Sequence, residues 1–179
     1  MSNQQAAFSP PNRVVVVDVE TTGLATRRGG RVIEVGAVAL EGGVVVAEFD
    51  TLIDAGAPIS HGAFRVHGIS EAMLAGQPDP ADVWRTFYEF IGHAPLVAHN
   101  APFDSAFIRH EFGLLGVGLA NPWHCTVRLA RKKLPHLPNH RLDTVYCHLF
   151  GPIPTTVTRH RALDDARLTA RVWERLSHS

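Results

Sequence analysis

The chain has 179 residues, 45% hydrophobic and 19% charged, and its 17 Lys and Arg balance its 17 Asp and Glu. That length suits one domain with a sizeable core, and the neutral balance excludes a nucleic-acid binder that works through overall charge, so any grip on a polyanion is local or made through bound cations. Two cysteines without a C-x-x-C pair, Cys125 and Cys147, exclude a disulfide scaffold and favour a reducing cytoplasm, and no apolar run of about 18 residues is present to span a membrane.

Met1 to Asn12 is polar, ends in Pro10-Pro11 and lacks the layout of a signal peptide, so it reads as a flexible lead-in to a single domain over residues 13–179. Val14 to Val19 is a β-branched run interrupted by Asp18, the pattern of a central strand buried on both faces. Val32 to Leu40 and Val44 to Leu52 predict two more strands, joined at Gly42-Gly43 by a tight hairpin. Asp82 to Ile91 has helical spacing, and Pro95 to His99 predicts a short strand. Pro102 suits a first helical turn, with the helix running on from Phe103 to Leu115. Trp123 to Thr126 predicts a fifth strand; Leu142 to Phe150 and Ala162 to Leu176 predict the last helices. The sum is an α/β chain with a mixed sheet.

Asp18 and Glu20 stand two apart at the end of the first strand, so both carboxylates point to one face. Side by side they repel, and a divalent cation with its preference for oxygen ligands neutralises them; the plain alternative is a strand that turns polar as it leaves the core. Asp104 falls in the first turn of its helix, at the head of a stripe through Phe107, Ile108, Glu111 and Leu115 that points it inward, although an isolated first-turn Asp also complements a helix dipole. In the last helix Asp165 shares the apolar face of Leu168, Val172 and Leu176. Asp164 shares the charged face of Arg167, Arg171 and Arg175, which makes it a surface partner of Arg167 or Arg171. His160 precedes that helix and can sit over its entrance. Four inward carboxylates on separate elements are costly to pack without metal. Two divalent ions about 4 Å apart offset the repulsion and suit phosphodiester cleavage, with His160 as the base for the attacking water.

Three segments carry a resemblance: Asp18-Val19-Glu20-Thr21-Thr22-Gly23, His99-Asn100-Ala101-Pro102-Phe103-Asp104, and His160-Arg161-Ala162-Leu163-Asp164-Asp165-Ala166. In this order and spacing they resemble the exonuclease motifs of the DEDDh family, closest to the epsilon proofreading subunit of bacterial DNA polymerase III and its stand-alone relatives. The resemblance runs from about Arg13 to Leu176. It implies an RNase H-like fold with a five-stranded mixed sheet flanked by helices. It implies 3′→5′ release of nucleoside 5′-monophosphates from single-stranded or frayed 3′ ends with two Mg²⁺ or Mn²⁺ ions. It further implies Asp18, Glu20, Asp104 and Asp165 as metal ligands, His160 as general base, and Thr21, Gly23, Leu24, His67, His99, Asn100 and Phe103 as the lining of the terminal-nucleotide pocket. Phe64 to Ile69 resembles the segment that wedges against the terminal base. Gly62 departs from the glutamate of some epsilon subunits, which bears on that side of the pocket and not on the metal site. The chain stops shortly after its last helix, without the polymerase-binding extension of epsilon, which favours a stand-alone repair or processing exonuclease, the alternative being an excised catalytic domain.

Two basic stretches offer a local grip on phosphates: Arg27, Arg28 and Arg31, and Arg128 through Arg141. Solvated loops, or an exposed helix with a loop, account for them equally well. Two other functions fit the same residues. One is an RNA-trimming exonuclease of the RNase T or oligoribonuclease type, since 2′-OH discrimination lies in pocket shape. The other is a non-catalytic nucleic-acid binding module, which the five filled catalytic positions argue against.

Overall fold

A computed structural model describes residues 12–178; the expected lead-in lies outside the described residues except for Asn12. Strand β1 (Arg13–Thr21) occupies the middle of a five-stranded sheet of order β3-β2-β1-β4-β5, in which β2 is Val32–Glu41, β3 Val44–Leu52, β4 Leu96–Ala98 and β5 Trp123–Cys125. β1–β2 and β2–β3 pair antiparallel, whereas β1–β4 and β4–β5 pair parallel, giving the expected mixed sheet. Gly42 and Gly43 turn the β2–β3 hairpin with φ of 56° and 83°, the left-handed backbone a two-residue hairpin loop requires.

The valine run of β1 is buried on both sides because each face meets its own helices. Val15, Val17 and Val19 join a core with α3 (Pro80–Ile91) and α4 (Ala101–Leu114), centred on Trp84, Phe87 and Phe112. Trp84 stands edge-on to Phe87 and Phe112, both at 5.5 Å between ring centroids. Val14 and Val16 face the opposite way, against Ala166, Ala170 and Trp173 of α7 (Ala162–Ser177). Beyond α7 lie α5 (Thr126–Lys133) and α6 (Leu142–Phe150), which cover Leu168, Val172 and Leu176. The apolar stripe below Asp165 therefore faces α6, and an alanine stripe faces the sheet. Small residues there let the helix come close. At Gly36 on β2 an added Cβ would lie 2.1 Å from the Leu163 amide nitrogen, so only glycine admits the first turn of α7.

Two short helices escape the periodicity analysis: α1 (His61–His67) and α2 (Glu71–Leu74). Both are too short to show a helical period, yet each is capped at its start, by Ser60 and Ser70, whose hydroxyls accept from Ala63 and Met73. α4 ends at Leu114, so Leu115 lies outside the expected stripe as an exposed residue after its last turn. The basic stretch from Arg128 is a helix followed by a loop.

Candidate active site

β1 carries Asp18 and Glu20 on the same face as Val14 and Val16, toward α7. The chain reaches Asp104 in the first turn of α4, directly after β4, the parallel neighbour of β1. Asp165 lies in the first turn of α7, with His160 in the tight turn before it. The carboxyl ends of β1 and β4 and the starts of two helices thus converge, the usual place for a site in a sheet with parallel strands. Among the described residues, only Asn100 (φ 76°) and His160 (φ 60°) are non-glycine residues with positive φ. Both sit at this junction, where the fold holds a backbone costing about 1–2 kcal/mol. Asn100 turns the chain from β4 into α4, and His160 turns it into α7.

Ligand atoms of Glu20, His160 and Asp165 lie within 4.8 Å of one another, the one set of three such donors in reach among the described residues. The Asp18 carboxyl is pushed well above the usual range by burial, then by Asp104 and Glu20 beside it. Burial, then Glu34 and Asp104, pushes Glu20 up to about 8. Asp104 also rises to about 8 through burial, against backbone N–H groups of its own residue and Val19 that favour its charge. Each shift says that burial disfavours the charged form here, and neighbouring carboxylates add to it for Asp18 and Glu20. Asp165 accepts the His160 backbone N–H at 3.3 Å, and its other oxygen contacts the Arg159 guanidinium. Hard oxygen donors in a group, one imidazole nitrogen and excess negative charge fit divalent cations. The His160 ring is held below its ordinary pKa by burial and the nearby Arg159 charge, so it is neutral at neutral pH.

Two cavities flank the carboxylates. The smaller, about 420 Å³, is lined by Glu20, Thr21, Gly23, Leu24, His67 and Phe103, with Ser60, Gly62, Ala63 and Val66 completing a largely apolar wall. Leu24 is 89% exposed at its rim, and Phe103 leans on Phe107 at 5.0 Å. His67 accepts the Ile69 amide at Nδ1, which leaves its proton on Nε2. The larger cavity, about 680 Å³, is lined by His99, Asn100, Arg131, His140, Arg141, Arg159 and His160 among others. The pocket residues expected together are therefore divided between the two cavities, with His99 and Asn100 in the larger. His99 braces that wall: its ring nitrogens meet Thr126 Oγ1 at 2.8 Å and the His140 carbonyl at 2.9 Å.

Asp164 stands apart from the site, accepting from Thr158 N–H at 2.8 Å and pairing with Arg167 at 3.0 Å, as the helix-face assignment expects. Arg171 turns instead to the Tyr146 hydroxyl and the Phe150 ring. Arg31 does not serve as a phosphate grip: it forms a two-point ion pair with buried Glu111 at 2.8–2.9 Å. Sequence reasoning missed Arg159, which stood unremarked one residue before His160, and the helical form of the segment around Gly62 and His67, whose only local signal was the Ser60 cap.

The exonuclease family model RNase_T matches residues 15–173. The chain belongs to this exonuclease family. A DNA polymerase III subunit epsilon of Aquifex aeolicus is 38% identical over 89% of this chain and 77% of its own length, which places the exonuclease in the epsilon group. A DNA polymerase III subunit epsilon-like protein of Rhodobacter capsulatus is 42% identical over 164 residues, and a PolC-type DNA polymerase III of Halalkalibacterium halodurans is 40% identical. The chain spans only 23% and 11% of those two proteins. Among solved structures, Exonuclease X in complex with 5′ overhanging duplex DNA superimposes with a TM-score of 0.76 at 29% identity, over 92% of this chain and 91% of its own. The nuclease domain of 3′hExo, a DEDDh member bound to rAMP, shares the fold with a TM-score of 0.78 at 16% identity. Five mixed strands flanked by helices are thus the RNase H-like arrangement expected.

Proposed function

We propose that this exonuclease hydrolyses DNA from the 3′ end, releasing nucleoside 5′-monophosphates with Mg²⁺ or Mn²⁺. The observation that carries the reading is the convergence of Asp18, Glu20, Asp104 and Asp165, three of them with pKa values raised by burial and crowding, beside His160 and between two cavities. Two divalent cations held by these carboxylates would supply positive charge to the attacking and leaving oxygens of the phosphodiester. Neutral His160, reached by solvent, takes the proton of the attacking water at an imidazole nitrogen. The smaller cavity takes the terminal nucleoside, with Phe103 and Leu24 offering faces to a base. The larger, arginine- and histidine-lined cavity suits the phosphate backbone of the strand beyond. The bound DNA of Exonuclease X supports a DNA substrate and a 3′ end on or beside duplex.

Digestion of 5′-labelled single-stranded DNA with Mg²⁺, Mn²⁺ or EDTA, resolved by length, tests the reading. A ladder that shortens from the 3′ end and vanishes in EDTA supports it. Faster turnover of a matched RNA strand replaces DNA with RNA as substrate. An overhang bound but left uncut in Mn²⁺ reduces the chain to a binding module.

A further inference from the structure

Among the described residues, one cation is paired directly with a carboxylate of the site. Arg159, in the turn before α7, bridges two acidic groups: one Nη contacts Asp165 Oδ1, and the other lies 2.5 Å from Asp143 Oδ1 at the start of α6. Its side chain is about three-quarters buried, and it lines the larger cavity. Its charge also reaches deeper, opposing the raised pKa values of Asp18 and Glu20. The oxygen that Arg159 holds belongs to the same carboxylate proposed to ligate metal. A guanidinium and a divalent cation on the same carboxylate oxygen would repel each other at contact distance, so they would not share it cheaply.

We propose that Arg159 is a positioning residue that serves as resident counter-ion of the carboxylate cluster and is displaced from Asp165 when divalent cations bind, remaining on Asp143 at the wall of the larger cavity. The inference rests on the metal-dependent reading above. Arg159 stabilises the cation-free fold by offsetting carboxylate repulsion, and for the same reason it weakens the first metal-binding step. Asp143 makes the displacement inexpensive, since the guanidinium keeps one of its two carboxylates.

Calorimetric titration of the full chain with Mn²⁺ tests this. Arg159→Gln is expected to bind Mn²⁺ roughly tenfold more tightly than wild type, a ratio equivalent to about 1.4 kcal/mol, and to melt at a lower temperature in EDTA. Arg141→Gln removes the same charge from the same cavity, and Arg141 forms no ion pair with a site carboxylate among the described residues; it is expected to change affinity by less than about twofold, through screened long-range charge alone. Equal Mn²⁺ affinity in Arg159→Gln and wild type, or an equal gain in both variants, overturns the proposal. A second measurement needs no variant: the side-chain Nε resonance of Arg159 in the wild-type chain shifts as Mg²⁺ is added. A resonance that stays in place through saturation also overturns it. A wild-type chain that binds neither cation refutes the metal reading itself, and the role of Arg159 falls with it.

Discussion

Buried carboxylates occur in two settings in this molecule. Glu34 and Glu111, each 1% exposed, lie where helices meet the sheet, and each has its own arginine and a backbone N–H. Arg161 and the Ala162 amide serve Glu34; Arg31 and the Val32 amide serve Glu111. At the end of β1 the balance is different. Asp18, Glu20 and Asp104 crowd together with no arginine bonded to any of them among the described residues; of the four site carboxylates Arg159 contacts Asp165. Burial by itself therefore does not mark a functional carboxylate. Burial without a cation of its own sets Asp18, Glu20 and Asp104 apart from Glu34 and Glu111 and makes these three candidates for function.

The largest effect that can break this contrast is Asp18→Asn. It is expected to abolish cleavage of labelled DNA while the chain melts in EDTA no lower than wild type, since the amide replaces a carboxyl whose charged form burial already disfavours. Retained cleavage would remove Asp18 from the site. His160→Ala follows, lowering turnover by roughly 10²–10⁴ as expected of a general base, with Mn²⁺ binding intact by calorimetry; wild-type rates would end that role. On the structural side, Glu111→Gln is expected to cost about 3 kcal/mol in denaturant unfolding, the low end for a broken buried pair because Arg31 is partly exposed.

A smaller effect sharpens the comparison through pH. Glu20 and Asp104, with folded values near 8, hold protons that the unfolded chain has released, so the cation-free protein gains stability as pH falls from about 8. Below 6.5 the gain is opposed, because His99 in the fold resists protonation down to about 4 while the unfolded chain takes it up. Melting in EDTA is thus expected to rise from pH 8 to 6.5, and saturating Mn²⁺ is expected to flatten the rise. A flat profile in EDTA would mean the cluster is not under charge stress. The smallest effect belongs to Asp164→Ala, whose carboxylate serves Arg167 and Thr158 at the surface. Most activity is expected to remain; a loss equal to that of Asp165→Ala would reverse the helix-face assignment.

Local pattern reached far in this chain. The strands follow from β-branched and apolar runs, the hairpin from its glycines, and the separation of Asp164 from Asp165 from the 3.6-residue period, and β1, α4 and α7 differ from their expected bounds by only a residue or two. The recognisable motifs contain Asp18, Glu20, Asp104, His160 and Asp165, which the fold brings to one junction. Missed were elements shorter than a helical period, α1 and α2, and the fate of individual cations. Arg31 and Arg159 look alike in sequence, each a basic residue beside a motif. One is committed to Glu111, 80 positions away, and the other to Asp165 and Asp143.

By itself the sequence determined which residues could do chemistry, because alternation along a strand and the turn of a helix fix the direction of Asp18, Glu20, Asp104 and Asp165 locally. The tertiary structure alone decided which charges are balanced, where the two cavities open, and that glycine at position 36 lets α7 bring Asp165 to the sheet. Direction is a property of neighbouring bonds; charge balance, burial and close approach depend on segments far apart in the chain and exist only once those segments pack.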